Sequence, residues 1–133
     1  DAWDGYPVAR EILLSTVAQL RKKLVVLAGD THNAWHSNLT LLNGQKVGEE
    51  FATSSVSSPG LETYLTIPPA NIKAIFEGVV NDLKWMDASR RGYLKMTITP
   101  AQVQGEWFFI DTILSKSYTV ATPAATEKRT YIA

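Results

Sequence analysis

The run Gly29-Asp30-Thr31-His32 places a carboxylate and an imidazole close together, directly after the apolar stretch Leu24-Val25-Val26-Leu27-Ala28. Aliphatic, β-branched runs of this kind read as buried strands, and a Gly-Asp step after one marks the strand's carboxyl end. In α/β proteins that edge is where ligands sit. Asp30 and His32 are therefore candidate ligands for a cation, since carboxylate oxygen and imidazole nitrogen are both metal donors. The plainer alternative is a turn, because Asp after Gly is common in turns and His32 could hydrogen-bond locally. Two ligands fill the coordination sphere of no common metal, so a site here needs donors from residues elsewhere or from a partner chain.

The elements that must hold this turn follow from periodicity. Val8, Ile12, Leu13, Thr16, Val17 and Leu20 recur at helical spacing, Pro7 suits a first turn, and Arg21, Lys22 and Lys23 suit the last one. A helix from Val8 to Lys23 is expected, then a strand over Leu24 to Ala28. Asn38 to Leu42 and Lys46 to Ser54 flank Asn43-Gly44, the strongest short signal for a tight antiparallel hairpin. Ser54 to Gly60 reads as a loop and Leu61 to Pro69 as irregular connection. Pro69 opens a second helix, from Ala70 to about Asp82, with Ile72, Ile75, Phe76, Val79 and Val80 on its apolar face. Three strands are expected after it: Tyr93 to Thr99, Gln104 to Leu114 and Ser117 to Thr122. Tyr93, Met96, Trp107 and Phe109 read as core or interface residues. Pro123 to Ala133 has little periodicity and is left unassigned. The order gives a mixed α/β fold with an antiparallel carboxyl half.

Composition excludes more than it identifies. A chain of 133 residues can bury a core as one domain or part of one. Its 13 basic and 13 acidic side chains cancel, so no long-range field gathers nucleic acid or an anionic membrane. No apolar stretch approaches the roughly 20 residues that span a bilayer, and no attached signal peptide is apparent. Without cysteine there is no thiolate zinc site and no thiol nucleophile. The opening Asp1-Ala2-Trp3-Asp4-Gly5-Tyr6 is aromatic where amino termini are usually polar and frayed, which suggests a cut made inside a larger protein.

Several separated motifs together resemble the carboxyl-terminal part of the PhoD-like alkaline phosphatases and phosphodiesterases, a branch of the metallophosphoesterases. They are Trp3-Asp4-Gly5-Tyr6 with Arg10, then Val25 through Trp35 around the Gly29-Asp30-Thr31-His32 turn, then Gly48-Glu49-Glu50-Phe51 with Ser54 and Ser57-Ser58-Pro59-Gly60. Asn81, Leu83, Asp87, Arg91-Gly92-Tyr93 and the pair Trp107 and Asp111 extend the likeness over nearly the whole chain. The resemblance implies that residues 1–133 are the carboxyl-terminal portion of a catalytic domain, part of an αββα sandwich of two packed sheets flanked by helices. It also implies a dinuclear metal centre and hydrolysis of phosphate mono- or diesters. The last metal motif of metallophosphoesterases is Gly-His-x-His, whose two ligands serve the two ions; here a carboxylate replaces the first imidazole. A hard oxygen donor suits calcium, and the imidazole of His32 suits iron, zinc or manganese. Iron with calcium is the pairing that the family implies. Export to the periplasm or outside the cell is likewise expected from the resemblance alone.

With that frame, Asp30 and His32 are the expected metal ligands and catalytic residues. Four more are candidates for supporting them or gripping substrate. Asn33 would orient a ligand. His36 sits four residues beyond His32, a zinc-like spacing that here follows a turn, so it is expected behind the site or on the surface. Arg10 matches phosphate oxygens bidentately, or else ties the helix to a packed Trp3. Glu50 is either a carboxylate behind the ligands or a solvent-facing strand residue. The Arg90-Arg91 pair could steer an anionic substrate, but beside Gly92 it is expected as a solvated turn. Two other function classes compete: a non-catalytic binding or assembly module with a vestigial turn, and a serine hydrolase using Ser54, Ser55, Ser57 or Ser58, which lacks a Gly-x-Ser-x-Gly elbow. The expected partners are a phosphate ester, the missing amino-terminal part of the domain and, through exposed strand edges, a second copy of the chain.

Overall fold

The computed structural model describes residues 3–120 and 127–132. A short 3-10 turn, Trp3–Gly5, leads into helix α1, Pro7–Gln19, with proline at its start. The helix stops short of the expected Lys23. Arg21 takes the left-handed conformation at φ 50°, its N–H bonds Ala18 O at 3.0 Å, and Lys22 N–H reaches back to Val17 O at 3.4 Å. That pair of bonds is the Schellman motif, built with arginine where glycine is usual. The basic cluster therefore caps the helix instead of extending it.

Strand β1 is Leu24–Ala28, β2 Ala34–Thr40 and β3 Lys46–Ala52. The β2–β3 hairpin turns at Asn43-Gly44, with Gly44 at φ 87° and Leu41 N–H bonded to Gln45 O at 2.9 Å. β2 starts four residues before the expected Asn38. β1 runs parallel to β3, pairing Val26 with Glu50 and Ala28 with Ala52. A further strand, β4 (Leu83–Asp87), pairs antiparallel with β2, giving the order β1-β3-β2-β4. It was hidden in the sequence behind the expected helix stop. Helix α2, Leu61–Tyr64, is a single turn inside the connection, and α3, Pro69–Val79, ends before Asp82 because Val80 turns extended at φ −103° and ψ 97°.

A second, antiparallel sheet has the order β5-β6-β7, from Gly92–Ile98, Gln102–Phe109 and Glu127–Ile132. β6 ends at Phe109 rather than Leu114. The strand expected at Ser117 to Thr122 reduces to one bridge between Ile110 and Val120; Ala121 and Thr122 lie outside the described residues. The third strand comes instead from the unassigned tail.

The two sheets meet through Ala34, Phe51, Trp85, Trp107 and Phe109, all buried. Trp107 is fully enclosed, and its indole N–H crosses the seam to Ala52 O at 2.9 Å. Burying one such aromatic is worth about 4–6 kcal/mol of transfer free energy. On its other face the first sheet carries α1 through Leu14, Leu41 and Val47 and α3 through Ile72, Leu83 and Met86. The outer face of the second sheet exposes Tyr93, Lys95 and Thr97. Among the described residues there are thus three layers, helix on sheet on sheet; the second helical layer of an αββα sandwich is not among them. No helix there is long and apolar enough to cross a membrane.

Candidate metal-binding site

The turn after β1 is held in an unusual backbone. Thr31 N–H bonds Gly29 O at 2.7 Å around Asp30, whose φ is 66°. An i to i+2 bond across a positive-φ residue is the strained form of the γ-turn. His32 also lies at positive φ, 62°. Aspartate and histidine tolerate this region better than most side chains. Such strain persists only where surrounding contacts hold it, and it concentrates at functional sites. The supports are visible: Trp35 Nε1 donates to Thr31 Oγ1 at 2.9 Å, Thr53 N–H bonds Ala28 O at 2.9 Å, and Ser55 N–H bonds His32 O at 3.3 Å.

His32 is half-buried, and its Nδ1 lies 2.7 Å from Pro59 O. A carbonyl oxygen can only accept, so Nδ1 carries the proton and the Nε2 lone pair is left for another partner. This is how metal-binding histidines are oriented from behind. The Asp30 carboxylate is exposed and has no hydrogen-bond partner among the described residues. The donors present fit part of a metal shell. Among the described residues no group of three or more His, Cys, Asp or Glu side chains is gathered to hold an ion.

A cavity of about 790 Å³ opens between α1, α3 and the first sheet, and Gly29, Asp30 and Thr31 line it together with Arg10, Glu50 and Trp35. His32 does not line it. The two candidate ligands thus face different surroundings, Asp30 the cavity and His32 the 55–61 loop, so the structure does not bring them together on one point.

The other candidates separate clearly. Asn33 is fully buried; its Nδ2 donates to Ala88 O at 2.7 Å and its Oδ1 accepts from Leu61 N–H at 3.2 Å. It braces the turn from the next position. His36 is neither beside the turn nor on the surface. Strand alternation sends it into the seam between the sheets, 4.7 Å from the Phe51 ring, where Nε2 contacts Glu49 Oε2 at 2.7 Å. Burial holds its pKa below the ordinary histidine value, against the opposing pull of Glu49. Arg10 donates to Thr40 O at 2.9 Å, a structural tie on the cavity wall. Glu50 faces the same cavity; burial raises its pKa, with Asp4 adding to the shift and Arg10 opposing it.

Arg91 overturns the expectation of a solvated turn. It is only 3% exposed, and its guanidinium is wrapped by Ser58 O, Ser89 O, Arg90 O and the Glu62 carboxylate. Neither the enclosure of Arg91 nor the role of the Pro59 carbonyl was visible in the sequence; the adjacency of Arg91 to Gly92 pointed to a solvated turn. The serine loop serves its own fold, with Ser55 Oγ bonded to Ser58 O at 2.6 Å. Among the described residues no hydrogen bond joins a serine Oγ of this loop to either histidine ring, whose partners are Pro59 O and Glu49.

Comparison with known proteins gives consistent matches. A family model described as PhoD-like phosphatase matches residues 1–107. The chain is 26% identical over 132 residues to alkaline phosphatase D of Bacillus subtilis (strain 168), covering 94% of this chain and 21% of that protein. A solved structure described as the structure of PhoD superposes with a TM-score of 0.76 at 22% identity, over 98% of this chain and 24% of that one. The chain therefore spans between a fifth and a quarter of the length of the proteins it matches.

Proposed function

The chain belongs to the PhoD-like phosphatase family, and from that premise we propose that it is the carboxyl-terminal portion of the catalytic domain of a metal-dependent phosphate ester hydrolase. In this reading Asp30 and His32 each supply a ligand to one of two metal ions, and the remaining ligands come from the amino-terminal part. The observation that carries it is the pairing of a strained turn, which displays an exposed Asp30 carboxylate, with a His32 ring whose Nδ1 is engaged and whose Nε2 is open.

Cations bound there would supply neutralisation of phosphate-ester charge and acidification of water near neutral pH. The chain's own residues do the rest. His32 presents a neutral nitrogen from a ring fixed through Nδ1. Asp30 adds a negative oxygen at the mouth of the cavity. Asn33 holds the turn against the α2 and β4 segments, and Glu50 and Arg10 set the polarity of the cavity wall. The carboxylate suits a hard cation such as calcium, and the imidazole suits iron, zinc or manganese; family membership supports iron with calcium. The same membership supports a periplasmic or secreted location. The exposed edge of β1 supports pairing with the rest of the domain or, in its absence, with a second copy.

The test joins this chain to the remainder of a PhoD-like phosphatase and measures hydrolysis of p-nitrophenyl phosphate and its bis ester. Asp30→Ala and His32→Ala should each lower kcat at least a hundredfold and reduce bound metal. Full activity and metal content in both variants would reject the assignment and favour a non-catalytic role.

A further inference from the structure

The His32 ring is oriented by a backbone carbonyl, and that carbonyl sits in a corner with its own clamp. Pro59 lies between Ser58 and Gly60. Arg91 Nε donates to Ser58 O at 2.5 Å, and Nη2 pairs with the Glu62 carboxylate just beyond. From the other side Nη1 reaches Ser89 O at 2.9 Å and Arg90 O at 3.3 Å. One buried guanidinium thus fastens the 58–62 corner to the segment entering β5. The corner is tightly filled: a Cβ on Gly60 would stand 2.7 Å from Asn33 Nδ2 and 2.9 Å from Glu62 Oε2. The ring of Pro59 further limits its backbone. Little freedom remains for the carbonyl that meets His32.

We propose that Arg91 is a positioning residue for His32: by clamping the Ser58–Glu62 corner it holds the Pro59 carbonyl on Nδ1 and so keeps the imidazole in the tautomer whose Nε2 is open to a metal. The inference rests on His32 being a ligand, but its first link, from guanidinium to tautomer, is independent of any ion. A guanidinium suits this task because its planar fork reaches several carbonyls at once, which a lysine ammonium cannot do. Outer partners of this kind are worth about 10–100-fold in metal affinity.

The chain has two histidines, so each can be followed by long-range ¹H–¹⁵N correlation in the ¹⁵N-labelled protein, and His36 in the core reports whether the fold is intact. The wild type should show His32 protonated on Nδ1, with added Zn²⁺ shifting its Nε2 signal. Arg91→Met should convert His32 to a mixture of tautomers and weaken Zn²⁺ binding about tenfold, while the His36 signals stay native. His32 remaining on the Nδ1–H tautomer in a folded Arg91→Met protein overturns the proposal. If that variant loses the native His36 signals, Arg91→Lys decides by the same criterion, since it keeps a positive charge beside Glu62 and removes the fork that joins the Ser58, Ser89 and Arg90 carbonyls. A tautomer change without Zn²⁺ binding by the wild type would uphold the role of Arg91 and sink the ligand reading of His32 instead.

Discussion

Glu50 is a carboxylate held where charge is costly. Its raised pKa means that the folded chain keeps the proton after the unfolded chain has released it at about 4.5, so folding stability falls as pH rises from there through the folded value. Glu50→Gln should therefore be more stable than wild type at pH 7 and lose that advantage below pH 4.5, as read from denaturant midpoints. His36 acts at the other sign. Its folded pKa lies below 6.5, so below that pH the unfolded chain takes up the proton first and stability drops as pH falls. His36→Gln, which keeps a donor for Glu49, should flatten the decline between pH 6.5 and 5. The turn that bears Asp30 and His32 was legible in the sequence because a Gly-Asp step follows an aliphatic run, whereas a metal role for the two rests on the family resemblance. The fate of His36 was not legible, because placing the start of β2 at Asn38 left out the alternation that sends it into the seam. Arg91 was hidden for a different reason: its acceptors on Ser58 and Glu62 lie 33 and 29 residues away, beyond any local pattern.

At the scale of elements, helices α1 and α3, the hairpin and the strands β1 and β5 were readable from period and turn chemistry, whereas the single turn α2 fell in a stretch read as irregular. β4 and β7 were not readable, since each takes its identity from a neighbour: β4 from β2, and β7 from β6. The contact between the two sheets is equally nonlocal. Gly105 on β6 faces Phe51 on β3 so closely that a Cβ would fall 2.6 Å from the ring, and Phe51 is fully buried with no room to retreat. Gly105→Ala should cost about 1–3 kcal/mol through overpacking. Trp107→Ala, which empties the same seam and strands the Ala52 carbonyl, should cost about 3–5 kcal/mol. Urea unfolding followed by circular dichroism would check both.

For the whole molecule, the apolar surface is unevenly covered. Val8 and Ile12 on α1, Leu20 just past its end and Leu27 on the edge strand β1 are all more than half exposed, a surface that favours association. We expect the chain to self-associate in solution, with Leu27→Lys shifting it toward monomer by light scattering; a monomeric wild type would count against this. The same topology orders the molecule by local stability. β2 and β3 are flanked on both sides, whereas β1 and β4 form the two outer rails of the sheet. Amides along Leu24 to Ala28 and Leu83 to Asp87 that point away from their single neighbours should thus exchange with deuterium before those of β2 and β3. Because Asp30 hangs from one of these rails, a cation captured there would slow exchange along β1 and leave β4 unchanged.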